Sequence, residues 1–98
     1  YHLPLIITEN GSCDNSKVHD TMRINNLKET FHYMEKAMNE GVDLRGYFHW
    51  SLMDNFEWAE GFTSRFGLAY VDFGHDQKRT PKDSFYSYKE IIKEKRTA

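Results

Sequence analysis

Two carboxylates stand where an enzyme could use them. Glu9 ends the apolar run Leu3-Pro4-Leu5-Ile6-Ile7-Thr8 and is followed at once by Asn10-Gly11. Glu57 lies in a second segment, Trp50 to Trp58, that is unusually rich in aromatic rings for a loop. A side chain at the seam between a buried strand and a surface loop is held by rigid backbone yet faces a cleft, where barrel and open-sheet enzymes put reactive groups. Two such acids suit glycoside hydrolysis, which needs carboxyl groups about 5–5.5 Å apart for retention and further apart for inversion. Sugar binding needs carboxylates and indole N–H groups for the hydroxyls, with flat rings against the C–H face. Trp50, Glu57 and Trp58 are of the right types. From the residues alone, the commoner reading of a lone strand-end Glu is a surface turn, and that of the other groups is solvated acids and core aromatics.

Other chemistries are poorly served. The five histidines, His2, His19, His32, His49 and His75, are scattered and show no zinc-ligand spacing. His49 reads as a satisfied, buried side chain inside a strand. Ser12 has no Gly-x-Ser-x-Gly turn around it, and no glycine-rich phosphate loop occurs. No residue pattern for holding a metal or organic cofactor stands out.

The elements that must position these groups follow from periodicity. Residues 5–8 predict a strand apolar on both faces, as in a central parallel sheet, with Pro4 at its start. A polar loop runs to about Asp20, a candidate N-cap. Thr21 to about Glu40 predicts a helix whose buried stripe is Leu27, Phe31, Met34 and Met38, extended by Met22 and Ile24, with Gly41 as the residue that stops it. Gly46–Trp50 predicts a second strand, so the three elements form a βαβ unit with parallel strands. Residues 51–64 read as irregular. Arg65–Phe73 predicts a further strand, Gly74-His75-Asp76 a turn, and Gln77–Thr80 a short return arm. After Pro81, a last helix over about residues 83–95 buries Phe85, Tyr88, Ile91 and Ile92, with Lys93, Lys95 and Arg96 near its C-terminus.

Composition bounds the rest. The net charge is −2 without a basic block, so nothing points to nucleic acid or an anionic membrane surface. No apolar run approaches the roughly 20 residues of a membrane span. The single cysteine, Cys13, makes no internal disulfide and fits a reducing, cytoplasmic setting. The 98 residues, 39% hydrophobic, would suit one small domain with a modest core. Yet the chain opens without Met, directly into a strand, and 15% of it is aromatic. The expectation is a fragment of something larger.

Thr8-Glu9-Asn10-Gly11, Gly41-Val42-Asp43-Leu44-Arg45-Gly46-Tyr47 and Trp50-Ser51-Leu52-Met53-Asp54-Asn55-Phe56-Glu57-Trp58 closely resemble family 1 of the glycoside hydrolases. The likeness continues through Gly61-Phe62, Arg65-Phe66-Gly67-Leu68 and Val71-Asp72 to Lys78-Arg79-Thr80-Pro81-Lys82-Asp83-Ser84. It implies an α/β fold, the seventh and eighth β/α units of a (β/α)₈ TIM barrel, with residues 1–98 a C-terminal fragment of a single catalytic domain. It implies β-glucosidase or β-galactosidase chemistry with retention, in which Glu9 is the nucleophile. Trp50 and Phe66 would line the sugar pocket, Glu57 would grip the hydroxyls at C4 and C6, and Trp58 would donate to the C3 hydroxyl.

The resemblance also sets what is missing. The family's acid/base is a Glu in an Asn-Glu-Pro motif on the fourth strand, and that motif does not occur in these residues. The phospho-sugar branch of the family replaces the acid at position 57, so Glu57 implies an unphosphorylated glycoside. The expected partners are a β-glycoside or oligosaccharide substrate, water, and the N-terminal remainder of the barrel. The chain alone is expected to be poorly folded and inactive. A non-catalytic glycan-binding relative is the competing reading, as is an inactive barrel fragment; retention of Glu9 argues against the binder.

Overall fold

The computed structural model describes residues 2–97, without the side chains of Arg96 and Thr97. Its elements are β1 (Leu5–Asn10), α1 (Thr21–Asn39), β2 (Leu44–His49), a 3-10 turn (Trp58–Glu60), β3 (Ala69–Asp72), β4 (Lys78–Pro81) and α2 (Asp83–Thr97). β1 and β2 pair in parallel, and β3 and β4 form a separate antiparallel hairpin in the register Ala69 to Pro81 and Asp72 to Lys78. The expected βαβ unit is therefore present, since α1 spans the crossover that parallel pairing requires. The expected hairpin arm is present too.

α1 ends where glycine allows it. Glu40 closes the last turn through backbone bonds to Lys36 and Ala37, and Gly41 follows at φ +101°, a backbone conformation costly for a residue with a Cβ.

The start of α1 departs from expectation. Asp20 occupies the cap position, but its carboxylate pairs only with the Arg23 side chain of the helix it precedes and caps no backbone N–H there. Asp14 does that work from six residues upstream, its Oδ2 accepting the first-turn N–H of Arg23 at 3.3 Å. Asp20 instead caps the other helix. Its carboxylate accepts the N–H of Ser84 at 2.9 Å and the Ser84 hydroxyl, in the first turn of α2. A local sequence window shows that a cap is available; which N-terminus it serves is decided by packing.

The third predicted strand is shorter than expected. Only Ala69–Asp72 pairs regularly with β4, and residues 65–68 run beside residues 51–54 instead. Ser51 N–H donates to Phe66 O, Leu68 N–H to Ser51 O, Ala69 N–H to Leu52 O and Asp54 N–H to Ala69 O. Asp54 intervenes here: its carboxylate takes the N–H groups of Gly67 and Val71 that a ladder would otherwise use.

The interior is more polar than the composition predicts. Among the described residues the buried apolar side chains are Leu27, Leu68 and Val71, whereas Asp14, Asp20, Arg23, Ser51, Asp54, Lys82 and Ser84 are buried and polar. Of the expected α1 stripe only Leu27 is buried; Met38 and Met22 are about half exposed, and on α2 so is Ile92. The apolar faces of β1 also lie open, with Leu5 51% and Ile6 57% exposed. These side chains have the right spacing for burial but nothing among the described residues to cover them. An aromatic cluster joins the layers: Phe31 of α1, Tyr47 of β2 and Tyr88 of α2 have ring centroids 4.7 to 6.4 Å apart. The side chain of Arg96, expected near the end of α2, lies outside the described residues.

Candidate active site

Glu9 sits on a bulge. From Ile7 to Asn10 β1 advances three residues while β2 advances two, from Tyr47 to His49, so the segment carrying Thr8 and Glu9 has one residue too many for its partner. Such bulges bend a strand and re-aim a side chain, and they recur beside active sites. The Glu9 side chain is exposed and makes no hydrogen bond or ion pair with the other described residues. Immediately after it the two strand ends are locked. Trp50 N–H donates to Asn10 O at 2.8 Å, and a Cβ on Gly11 would overlap the Trp50 carbonyl oxygen. Glycine is required at position 11 by that close approach.

Beneath the bulge, the Tyr47 hydroxyl donates to Asn10 Oδ1 at 2.9 Å and lies 3.2 Å from His49 Nδ1. His49 was expected to be a satisfied buried side chain; it is half satisfied, because its Nε2 is buried without a partner. Burial, helped by the nearby positive charge of Arg23 and opposed by Asp20, pushes the imidazole down to about 4. Burial likewise pushes the Tyr47 phenol up to about 12. Both groups are neutral at pH 7 and act as fixed dipoles.

Glu57 follows the second strand. The Trp50 indole N–H donates to Glu57 Oε1 at 3.1 Å, so the structure brings these two predicted residues into direct contact. The Glu57 backbone is pinned by its own N–H to Gly61 O at 2.7 Å and by Glu60 N–H to Glu57 O. Trp58 has φ +47° and is 85% exposed, with its indole presented to solvent. Phe66 is half-buried, held through its carbonyl by Ser51. Glu9 and the Trp50–Glu57 pair thus issue from the same ends of two parallel, hydrogen-bonded strands. Trp58 makes no bond to either.

A buried charge network underlies this surface. Asp54 accepts from Arg65 Nη1 at 2.7 Å and Lys82 Nζ at 2.9 Å, besides its two backbone N–H groups. Burial alone would raise the Asp54 carboxyl, but the Lys82 and Arg65 donors outweigh it and hold it below the usual carboxylate range. Lys82, fully buried with one carboxylate, is drawn below the usual lysine value by burial. Arg65 also lies against the rings of Tyr70 and Phe73, 4.5 and 5.0 Å from their centroids. The second network pairs Arg23 with Asp20 at 2.6 Å, both fully buried. Sequence reading missed these networks as site elements. The i, i+3 spacing of Asp20 and Arg23 was the one available signal, and on a helix it ordinarily marks a solvated pair. Among the described residues no group of three or more His, Cys, Asp or Glu side chains could hold a metal ion.

A short α/β unit with acids and indoles at the C-terminal ends of parallel strands is the form a barrel enzyme gives its active-site rim. The family model described as Glycosyl hydrolase family 1 matches residues 1–97, and the chain belongs to that family, a TIM-barrel family of glycosidases. β-Glucosidase A of Thermotoga maritima is 50% identical over 93 residues, covering 89% of this chain and 21% of the relative. The bifunctional β-D-glucosidase/β-D-fucosidase of Bifidobacterium breve is 47% identical over 100 residues, covering 92% of this chain and 22% of the relative. The solved family 1 β-glucosidase from Thermotoga maritima superposes with a TM-score of 0.87 at 49% identity, covering 92% of this chain and 22% of that one. The chain therefore spans about one fifth of the length of the relatives it matches.

Proposed function

We propose that this chain supplies the seventh and eighth β/α units of a retaining β-glycosidase, of the β-glucosidase or β-galactosidase type. One observation carries the reading: Glu9, on a bulge, and the Trp50–Glu57 pair lie at the same ends of two parallel strands. The names of the relatives support a β-glycoside as substrate.

In this reading the ionised Glu9 attacks the anomeric carbon while the bond to the leaving oxygen breaks, giving a glycosyl ester on Glu9. Water, giving its proton to the group outside these 98 residues that protonated the leaving oxygen, then attacks that carbon, and the carboxylate leaves. Glu57 accepts hydrogen bonds from the hydroxyls at C4 and C6, and its bond from Trp50 keeps one oxygen oriented before sugar arrives. The Trp58 indole donates to the C3 hydroxyl, and Trp50 and Phe66 line the pocket. The leaving oxygen needs a proton from an acid outside these 98 residues. Without that acid the first step forfeits roughly 10²–10⁴-fold. The partner is accordingly the N-terminal remainder of the same barrel, and the exposed Cys13 thiol fits a cytoplasmic setting.

The test is Glu9→Gln in the barrel that this chain completes. Turnover of an aryl β-glucoside should fall by roughly 10⁴-fold or more, and trapping by a 2-deoxy-2-fluoro glycoside should vanish. Unchanged turnover with normal trapping refutes the assignment. The chain expressed alone should show neither cooperative unfolding nor turnover; finding both would refute its dependence on the remaining strands.

A further inference from the structure

We infer that the buried Arg23 and the part-buried Arg65 form a clamp that sets the position of Glu57 relative to Glu9, making Arg23 a positioning residue for catalysis. The inference rests on the roles proposed above for Glu9 and Glu57.

The two acids are on separate loops. Glu9 leads into residues 11–20, which join β1 to α1, and Glu57 lies in residues 50–68, which join β2 to β3. β-Pairing ends at Asn10 and His49, so what happens beyond is decided by loop contacts. Three of these meet at the Arg65 backbone. Its carbonyl accepts Asp14 N–H at 3.0 Å and Arg23 Nη2 at 2.7 Å, and its own N–H donates to Asn15 Oδ1 at 3.0 Å. Arg23 Nη2 also lies 3.2 Å from the carbonyls of Ser12 and Asp14, so one guanidinium holds the first loop against the second. Its Nη1 is anchored to Asp20, and the whole side chain is buried.

From Arg65 the connection runs on to the acid. The Arg65 side chain binds Asp54 at 2.7 Å, three residues before Glu57. A shift at Arg65 thus reaches Glu57 through Asp54 and reaches Glu9 through Ser12 and Asp14. Only a guanidinium can do this, because its planar fork serves Asp20 on one arm and three carbonyls on the other. Lysine would keep the charge and the Asp20 pair while releasing the loops.

The experiment measures kcat and KM per active site in the barrel completed by this chain, for Arg23→Lys, Asn15→Ala and each combined with Glu57→Gln. Misplacement by about 1 Å costs on the order of 100-fold, so Arg23→Lys should lower kcat/KM by about that factor in the parent. It should lower it by less than about 10-fold in the Glu57→Gln background, where the positioned group is already impaired. Asn15→Ala removes one strap at an exposed residue and should cost roughly fivefold, with the same shrinkage. It carries the test if Arg23→Lys does not fold. A purely structural role would reduce the active fraction by the same factor in both backgrounds and leave per-site constants unchanged; either result overturns the clamp. Glu9→Gln is run alongside. Full turnover there overturns the nucleophile reading, whereas loss there with unaltered Arg23→Lys and Asn15→Ala constants overturns the clamp alone.

Discussion

Replacing Asp54 by Asn tests how a buried carboxylate holds the loop that carries Glu57. The substitution keeps the shape and removes the charge. Asp54 receives four donors, from Arg65, Lys82, Gly67 and Val71, and the Lys82 ammonium is fully buried. Asn can still accept on one side, but its NH₂ must then face Lys82 or Arg65, donor against donor. Leaving a buried cation without its partner costs about 3–5 kcal/mol. Lys82→Met removes the orphan instead of creating it. Asp54 then keeps Arg65 and both backbone donors, so the expected loss is about 1–3 kcal/mol. The double variant should cost less than the sum, because Met removes the cation that Asn leaves unpaired. Urea unfolding of the completed barrel, extrapolated linearly, gives all three values.

The pH dependence supplies a second arm for the same variant. A carboxyl depressed on folding stabilises above its unfolded value, about 3.9, and that stability is lost as pH falls through the folded value. The parent should therefore lose stability in acid that Asp54→Asn never had, and the gap between the two should narrow as pH falls through the depressed folded value. A loss under about 1 kcal/mol for Asp54→Asn, or a larger loss for Lys82→Met, would refute the reasoning.

Two further outcomes are expected. Trp50→Phe keeps a ring in place but removes the N–H that orients Glu57; KM for a β-glucoside should rise roughly five- to tenfold, and an unchanged KM would detach Trp50 from Glu57. His49, pushed down to about 4 by burial, should stay neutral through the pH range in which an ordinary histidine protonates. Because its folded value lies below the unfolded one of about 6.5, the protein loses stability as pH falls from that value towards 4. A histidine resonance titrating near 6.5 at this position would contradict that.

Local pattern alone determined much of this protein. The parallel strands, the long helix between them, the stop at Gly41 and the hairpin before α2 follow from hydrophobic period and turn residues, which act over a few positions. The resemblance carried by Thr-Glu-Asn-Gly and Asp-Asn-Phe-Glu-Trp led to the family that the comparisons bear out. What the tertiary structure alone decided is of another kind. Asp20 reads as a cap for α1 but serves α2, because packing brings the Ser84 N–H and hydroxyl to its oxygens while the only α1 group its carboxylate binds is the Arg23 side chain. Met22, Met38 and Ile92 have core spacing but stay exposed, because no partner surface among the described residues covers them. The bulge at Thr8-Glu9 and the carbonyls gathered by Arg23 depend on register between segments distant in sequence. Hydrophobic period reports which face of an element seeks burial. The partner of a buried charge is set by which backbones meet it, and that is settled only when the elements pack.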